Sequence, residues 1–195
     1  MTEPILLHGS KGSMPRDGGP SFSLRNRVVR LVWGITWLVF ASWTPRPLCP
    51  WRRFLLRSFG ASLGPGADVR GSARVWLPSN LVMGAGAVIG PNVNCYNQAL
   101  ITIEERALIS QGAHLCSGTH DIEDEHFQLV AVPIRIGAHA WIAAEAFVGP
   151  GAVVGAGAVV GARAVAFGHL EPWAVFVGNP AKRIRDRGWR PRSLD

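Results

Sequence analysis

The stretch CSGTHD, Cys116 to Asp121, places a histidine between a threonine and an aspartate at the end of a long run of small and aliphatic residues. An imidazole titrates near neutrality, so His120 could take a proton from a hydroxyl as that hydroxyl attacks an acyl carbon. A corner histidine can equally serve the backbone as a hydrogen-bonding partner, and the residues alone leave both readings open. Cys116 raises a second chemistry, a thiol nucleophile, against the ordinary use of cysteine as a small buried residue. His114, His120 and His139 raise a third, since three converging imidazoles would hold zinc. Cys49, Cys95 and Cys116 show no CxxC spacing. They therefore indicate neither a disulfide framework nor a thiolate metal site, and they fit a reducing cytoplasm.

Each of these chemistries needs a scaffold, and the sequence supplies one with a period of six. Ile136 to Val165 divides into IGAHAW, IAAEAF, VGPGAV, VGAGAV and VGARAV, each opening on Ile or Val and carrying Ala at the fifth place. LGPGAD, MGAGAV, IGPNVN, IEERAL, ISQGAH and LCSGTH follow the same beat upstream with small offsets. An aliphatic residue every sixth place, beside residues small enough for a corner, predicts a parallel β-helix whose coils bury one another's faces. The beat stops after His120 and returns near Ile134. The loop 121–133 is thus an excursion from a rigid scaffold, and polar loops on such scaffolds commonly carry function. His126 lies within it as a second candidate substrate contact.

Four segments follow from this reading. Residues 1–20, rich in Gly, Pro, Ser and charge, predict a disordered arm. Residues 21–60 predict an apolar and basic helical segment, 61–180 the β-helix, and 181–195 a basic tail. Leu31 to Trp43 is 13 residues without a charge, shorter than the roughly 18 to 20 a membrane span needs. Val29, Trp33, Trp37 and Phe40 recur at helical spacing. That helix either packs on the protein or lies in a membrane interface with its flanking arginines on anionic lipid, giving a peripheral association through residues 28–43. The net charge of +7 is concentrated at the ends of the chain. With no aromatic RNP-type strand and no zinc finger beside it, the charge suits a membrane surface or a phosphorylated small molecule rather than nucleic acid.

The hexads resemble the bacterial hexapeptide-repeat acyltransferases, and the resemblance implies a left-handed parallel β-helix of triangular section, with an N-terminal helical segment. Maltose, galactoside and nodulation O-acetyltransferases of that family carry a histidine just before such a loop, where SGTHD stands. By that similarity His120 is the general base for direct attack of a sugar hydroxyl on acetyl-CoA, with no acyl-enzyme. Asn97, in NCYNQA, resembles an acceptor-binding asparagine, and Asp121 a residue that holds a partner or the loop. Trp141, Ala143 and Ala144, in WIAAEAFVGPG, resemble the stretch along the thioester. VFVGNPAKRIR resembles the family's C-terminal signature, which makes Lys182, Arg183 and Arg163 partners for CoA phosphates. At full length, PRPL, WRRFLLRSFGA, YNQA, ISQGAHLCSGTHD and WIAAEAFVGPG resemble the colanic acid biosynthesis acetyltransferases.

The resemblance further implies a homotrimer with sites between neighbouring prisms. Acetyl-CoA would be a cosubstrate, no cofactor or metal would be tightly held, and the acceptor would be a glycan or glycolipid precursor of an exopolysaccharide. The enzyme would work in the cytoplasm or at the inner face of its membrane. The alternatives are an N-acyltransferase acting on an amino sugar, a hexapeptide-repeat zinc carbonic anhydrase, and a non-catalytic scaffold.

Overall fold

A computed structural model describes residues 5–6 and 21–191. From Ser62 the chain winds as a left-handed parallel β-helix with three flat faces. Trp141 pairs with Val159 and Phe147 with Val165, eighteen residues further on, so three hexads complete one coil. The first face contains Ile101–Ile103 and Ile134–Ile136, the second Leu108–Ile109 and Trp141–Ile142, the third His114–Cys116 and Phe147–Val148.

The hexad explains the packing position by position. The opening residues Ile136, Ile142, Val148, Val154 and Val160 are all at most 1% exposed, and so are the fifth-place alanines from Ala140 to Ala164. Two inward residues per hexad, one large and one small, fill the triangle. The second place is glycine where coils touch backbone to backbone: a Cβ on Gly137 would lie 2.6 Å from the amide nitrogen of Ala156. At one corner the chain turns through left-handed backbone at Gly112, Glu145 and Arg163 (φ 70°, 59° and 58°).

A stack of parallel coils leaves backbone groups unpaired at each end, a liability any solenoid must cover. Here the lower end is covered by two helices, α1 (Leu24–Phe40) and α2 (Cys49–Ser58). Trp33 Nε1 donates to Val75 O (2.7 Å), and Trp37 Nε1 to Gly71 O and Ala73 O (3.0 and 3.1 Å). Arg52, 1% exposed, donates to Val69 O (2.7 Å) and pairs with Asp68 (3.2 Å). Arg53 and Arg57 reach Ala67 O and Leu63 O. The tryptophans and arginines of the helical segment thus complete the hydrogen bonding of the first coil on all three faces.

At the upper end, Lys182–Asp186 turns back antiparallel onto Ala174–Val177. The expected tail is a strand over this part, and residues 192–195 lie outside the described residues. So does the expected arm, apart from Ile5–Leu6. Ile5–Leu6 pairs antiparallel with Val130 and Ala131, extending the sheet of the excursion by a third strand.

Candidate active site

The excursion departs between the third face, at His114–Cys116, and the first, at Ile134–Ile136. It therefore projects from the corner those two faces share. It is a hairpin, Gly118–His120 paired antiparallel with Leu129–Ala131, His120 opposite Leu129. Phe127, in the connecting loop, holds left-handed backbone at φ 53°, a conformation unfavourable for an aromatic residue and a common mark of a functional segment.

His120 Nδ1 lies 2.9 Å from Phe127 O, and the imidazole stacks on the Phe127 ring at 4.5 Å and 11°. A carbonyl oxygen can only accept, so Nδ1 is the donor, and in the neutral ring the lone pair belongs to Nε2. One loop residue thereby fixes both the tautomer and the plane of the ring. His120 lines a cleft of about 370 Å³ with Phe22, Arg27, Arg30, Tyr96 and Gln98. Arg30 rests over Trp76 (4.4 Å to the ring centre), and burial lowers its pKa. Neither Arg27 nor Arg30 has a carboxylate partner among the described residues.

Asn97 departs from its expected role. Its Oδ1 accepts from Leu77 N (3.0 Å), its Nδ2 donates to Leu77 O (2.7 Å), and the residue is fully buried. The side chain joins adjacent coils and is sealed from solvent, so it does not reach the cleft surface. Its neighbours face the cleft instead. Gln98 donates from Nε2 to Tyr96 Oη (2.7 Å), while its Oε1 is buried with no partner among the described residues. A Cβ on residue 118 would come within 1.7 Å of that oxygen, so Gly118 is what admits the Gln98 amide. Period-two alternation would have found this: with Cys95 inward, Asn97 is inward and Tyr96 outward.

Asp121 closes the loop on itself, its Oδ1 accepting from Glu123 N (3.0 Å). His126 is half-buried, and its amide donates to Asp124 Oδ1 (2.7 Å). The Cys116 thiol is raised in pKa, chiefly by burial, and donates to Gly118 O (3.2 Å). Burial lowers the pKa of His114, whose Nε2 accepts from Asn94 Nδ2 (3.2 Å) on the third face. His139 sits at the corner between the first and second faces, edge-on to Trp189. Within one chain the three histidines do not meet, and no group of three His, Cys, Asp or Glu suited to a metal occurs among the described residues.

Trp141, Ala143 and Ala144 line a second cleft, of about 460 Å³, on and beside the second face. The basic residues in it are Arg185 and Arg187, which sequence reasoning left out of the site. Arg187 Nη1 donates to His139 O and Gly157 O (both 2.9 Å) and its guanidinium lies 4.9 Å from the Trp189 ring. Of the residues expected here, Arg183 pairs with Glu171 (3.2 Å) and Asp186 (2.7 Å), Arg163 pairs with Glu145 (2.5 Å), and Lys182 is exposed on the closing strand. None of these three lines the cleft. The second face lies opposite the corner that carries His120, and the two clefts share no residue.

No protein-family model matches the chain. It is 43% identical over 159 residues, 82% of its length and 87% of the relative's, to the "Putative colanic acid biosynthesis acetyltransferase WcaF" of Escherichia coli (strain K12). The Shigella flexneri protein of the same name matches equally. Among solved structures, a hexapeptide-repeat acetyltransferase of Vibrio cholerae in complex with acetyl-CoA superposes with a TM-score of 0.77 at 21% identity, covering 94% of this chain and 97% of that one. A maltose O-acetyltransferase of Clostridium difficile 630 gives 0.75 at 22%, covering 84% and 89%. The two superpositions establish a shared fold.

Proposed function

The chain belongs to the family of WcaF colanic acid biosynthesis acetyltransferases, and from that premise we propose that it transfers an acetyl group from acetyl-CoA to a sugar hydroxyl. The acceptor is an exopolysaccharide or glycolipid precursor. The observation that carries this reading is the His120 ring, its Nδ1–H held by Phe127 O so that Nε2 is the nitrogen left for a substrate, in the lining of an open cleft.

In the reaction, Nε2 removes the hydroxyl proton as the oxygen attacks the thioester carbonyl carbon. The tetrahedral intermediate collapses, the C–S bond breaks, and the imidazolium returns its proton to the departing CoA sulfur. Tyr96, half-buried in the cleft lining, orients the sugar through its hydroxyl, which the buried Gln98 amide holds in place. Arg27 and Arg30 suit an acceptor that carries a carboxylate or phosphate. Acetyl-CoA lies in the Trp141 cleft, its phosphates facing Arg185 and Arg187, with Arg163, Lys182 and Arg183 further out. Because that cleft and His120 occupy opposite sides of one prism, the reaction takes place between copies of the chain, and a trimer of parallel prisms provides that arrangement. The enzyme works in the cytoplasm, at the inner face of the membrane when its acceptor is a glycolipid.

Calorimetry of wild type and His120→Ala with acetyl-CoA, followed by transfer assays on a glycan panel that includes amino sugars, tests the proposal. Both proteins should bind acetyl-CoA saturably and only wild type should acetylate a hydroxyl. Failure to bind, or acetylation confined to amines, would refute it.

A further inference from the structure

Helix α1 has two apolar faces. Trp33 and Trp37 are buried against the first coil, whereas Val28, Leu31, Val32, Ile35, Leu38 and Val39 form a stripe on the opposite side, Leu31, Ile35 and Leu38 being 64%, 55% and 67% exposed. At 100° per residue this stripe is about 120° wide and points directly away from the solenoid. Trp43, Trp51 and Phe54 extend it at 70%, 40% and 58% exposure. An apolar surface of this extent needs a cover. No helix among the described residues is long and apolar enough to cross a membrane.

Charge selects the cover. From Ser21 to Ala67 the chain has seven arginines and no acidic residue. Apart from Arg52, which pairs with Asp68, none of them forms an ion pair among the described residues. Facing a second copy across this stripe would confront cation with cation. A bilayer surface supplies both hydrocarbon for the stripe and anionic headgroups for Arg25, Arg27 and Arg46 at its margins. Trp43 and Trp51 satisfy their indole N–H groups on Val39 O and Phe40 O (2.7 and 2.8 Å), so both rings can enter the interface without an unpaired donor.

We propose that the outward face of α1, continued by Trp43, Trp51 and Phe54, seats the lower end of the solenoid in the interface of an anionic lipid bilayer. The seat rests on this surface alone; its consequence for catalysis rests on the acetyltransferase reading. His120 stands two coils above the first, roughly 10 Å at the spacing of sheet strands. Arg27 and Arg30 of the seated helix line its cleft. A glycan joined through phosphate to a membrane lipid would thus reach the base without leaving the surface.

Vesicle flotation of the full chain tests the seat. Wild type should bind phosphatidylglycerol-containing vesicles at least about tenfold better than phosphatidylcholine vesicles, and high salt should reduce the difference. Leu31→Glu, Ile35→Glu and Leu38→Glu together should lower binding by about tenfold or more, with circular dichroism and acetyl-CoA affinity unchanged. Should the triple variant misfold, quenching of wild-type tryptophan fluorescence by lipids brominated near the headgroup reads the same contact. Absence of binding to both vesicle types, or binding that the triple variant retains, overturns the seat. So does a shift of the triple variant to a smaller oligomer without any wild-type vesicle binding, which would make the stripe a contact between copies. Loss of acetyl-CoA binding in wild type would instead strike the acetyltransferase reading and leave the seat standing.

Discussion

The coils from Ile136 to Ala166 and the excursion from Ser117 to Pro133 are neighbours in sequence built on opposite rules. In the coils every sixth residue is sealed inside and pairing is parallel between equivalent places. In the excursion the strands pair antiparallel, Ile122 is 77% exposed, and side chains bind nearby backbone, as His120 does Phe127 O and Asp121 does Glu123 N. The periodic part spends its side chains on packing and so has few to offer a substrate. The interruption is where the chain can hold an imidazole in one tautomer and still leave it open to solvent.

The contrast is sharpest in activity. His120→Ala should lower acetyl transfer by about a thousandfold, within the usual range for removal of a general base, while thermal stability stays near wild type. A comparable loss of stability would place the residue with the scaffold. For stability the order reverses: Ile142→Ala, in the packed interior, should cost about 3 kcal/mol in denaturant unfolding, whereas Ile122→Ala should change it by less than about 0.5 kcal/mol. Equal effects at the two positions would break the comparison.

A smaller cost is expected at the cap. Trp37→Phe keeps the ring but leaves the Gly71 and Ala73 carbonyls without their indole donor, at about 1 to 2 kcal/mol. Chemical denaturation would read it, and an unchanged midpoint would mean that water replaces the indole without penalty. The least effect is expected from Cys116→Ala, which should keep acetyl transfer within about threefold, because burial holds that thiol protonated at neutral pH and thiolate is the nucleophilic form. Cys95, pushed up to about 12 by burial, should likewise resist alkylation at neutral pH until the protein unfolds.

The sequence made the prism legible because its signal is local: Ile136, Ile142, Val148, Val154 and Val160 declare their inward direction by spacing alone. The break after His120 was legible for the same reason. Contacts made across coils and between elements were not. Asn97 and Gln98 are adjacent and chemically alike, yet one is consumed by Leu77, twenty residues earlier, and the other faces the cleft. Arg185 and Arg187 enter the Trp141 cleft because the last strand folds back over Ala174–Val177, a reversal that charge spacing does not encode. The indoles of Trp33 and Trp37 read as one side of an apolar helix, and their bonds to the first coil emerge only once the open edge of the solenoid is in place. Phe127 carried no sequence signal for its grip on His120, since nothing in the loop's composition fixes a left-handed backbone there.

His120 and the Trp141 cleft lie on opposite sides of one chain, and the proposed reaction joins them only across copies. Mixing two variants that should each be inactive tests this most directly: His120→Ala, which removes the proposed base, and Ala143→Trp, which fills the Trp141 cleft, unfolded and refolded together. The mixture should recover a substantial fraction of wild-type acetyl transfer, because some interfaces then join an intact His120 to an intact cleft. A mixture as inactive as its components, with mixed oligomers demonstrated by differential tagging, would contradict it.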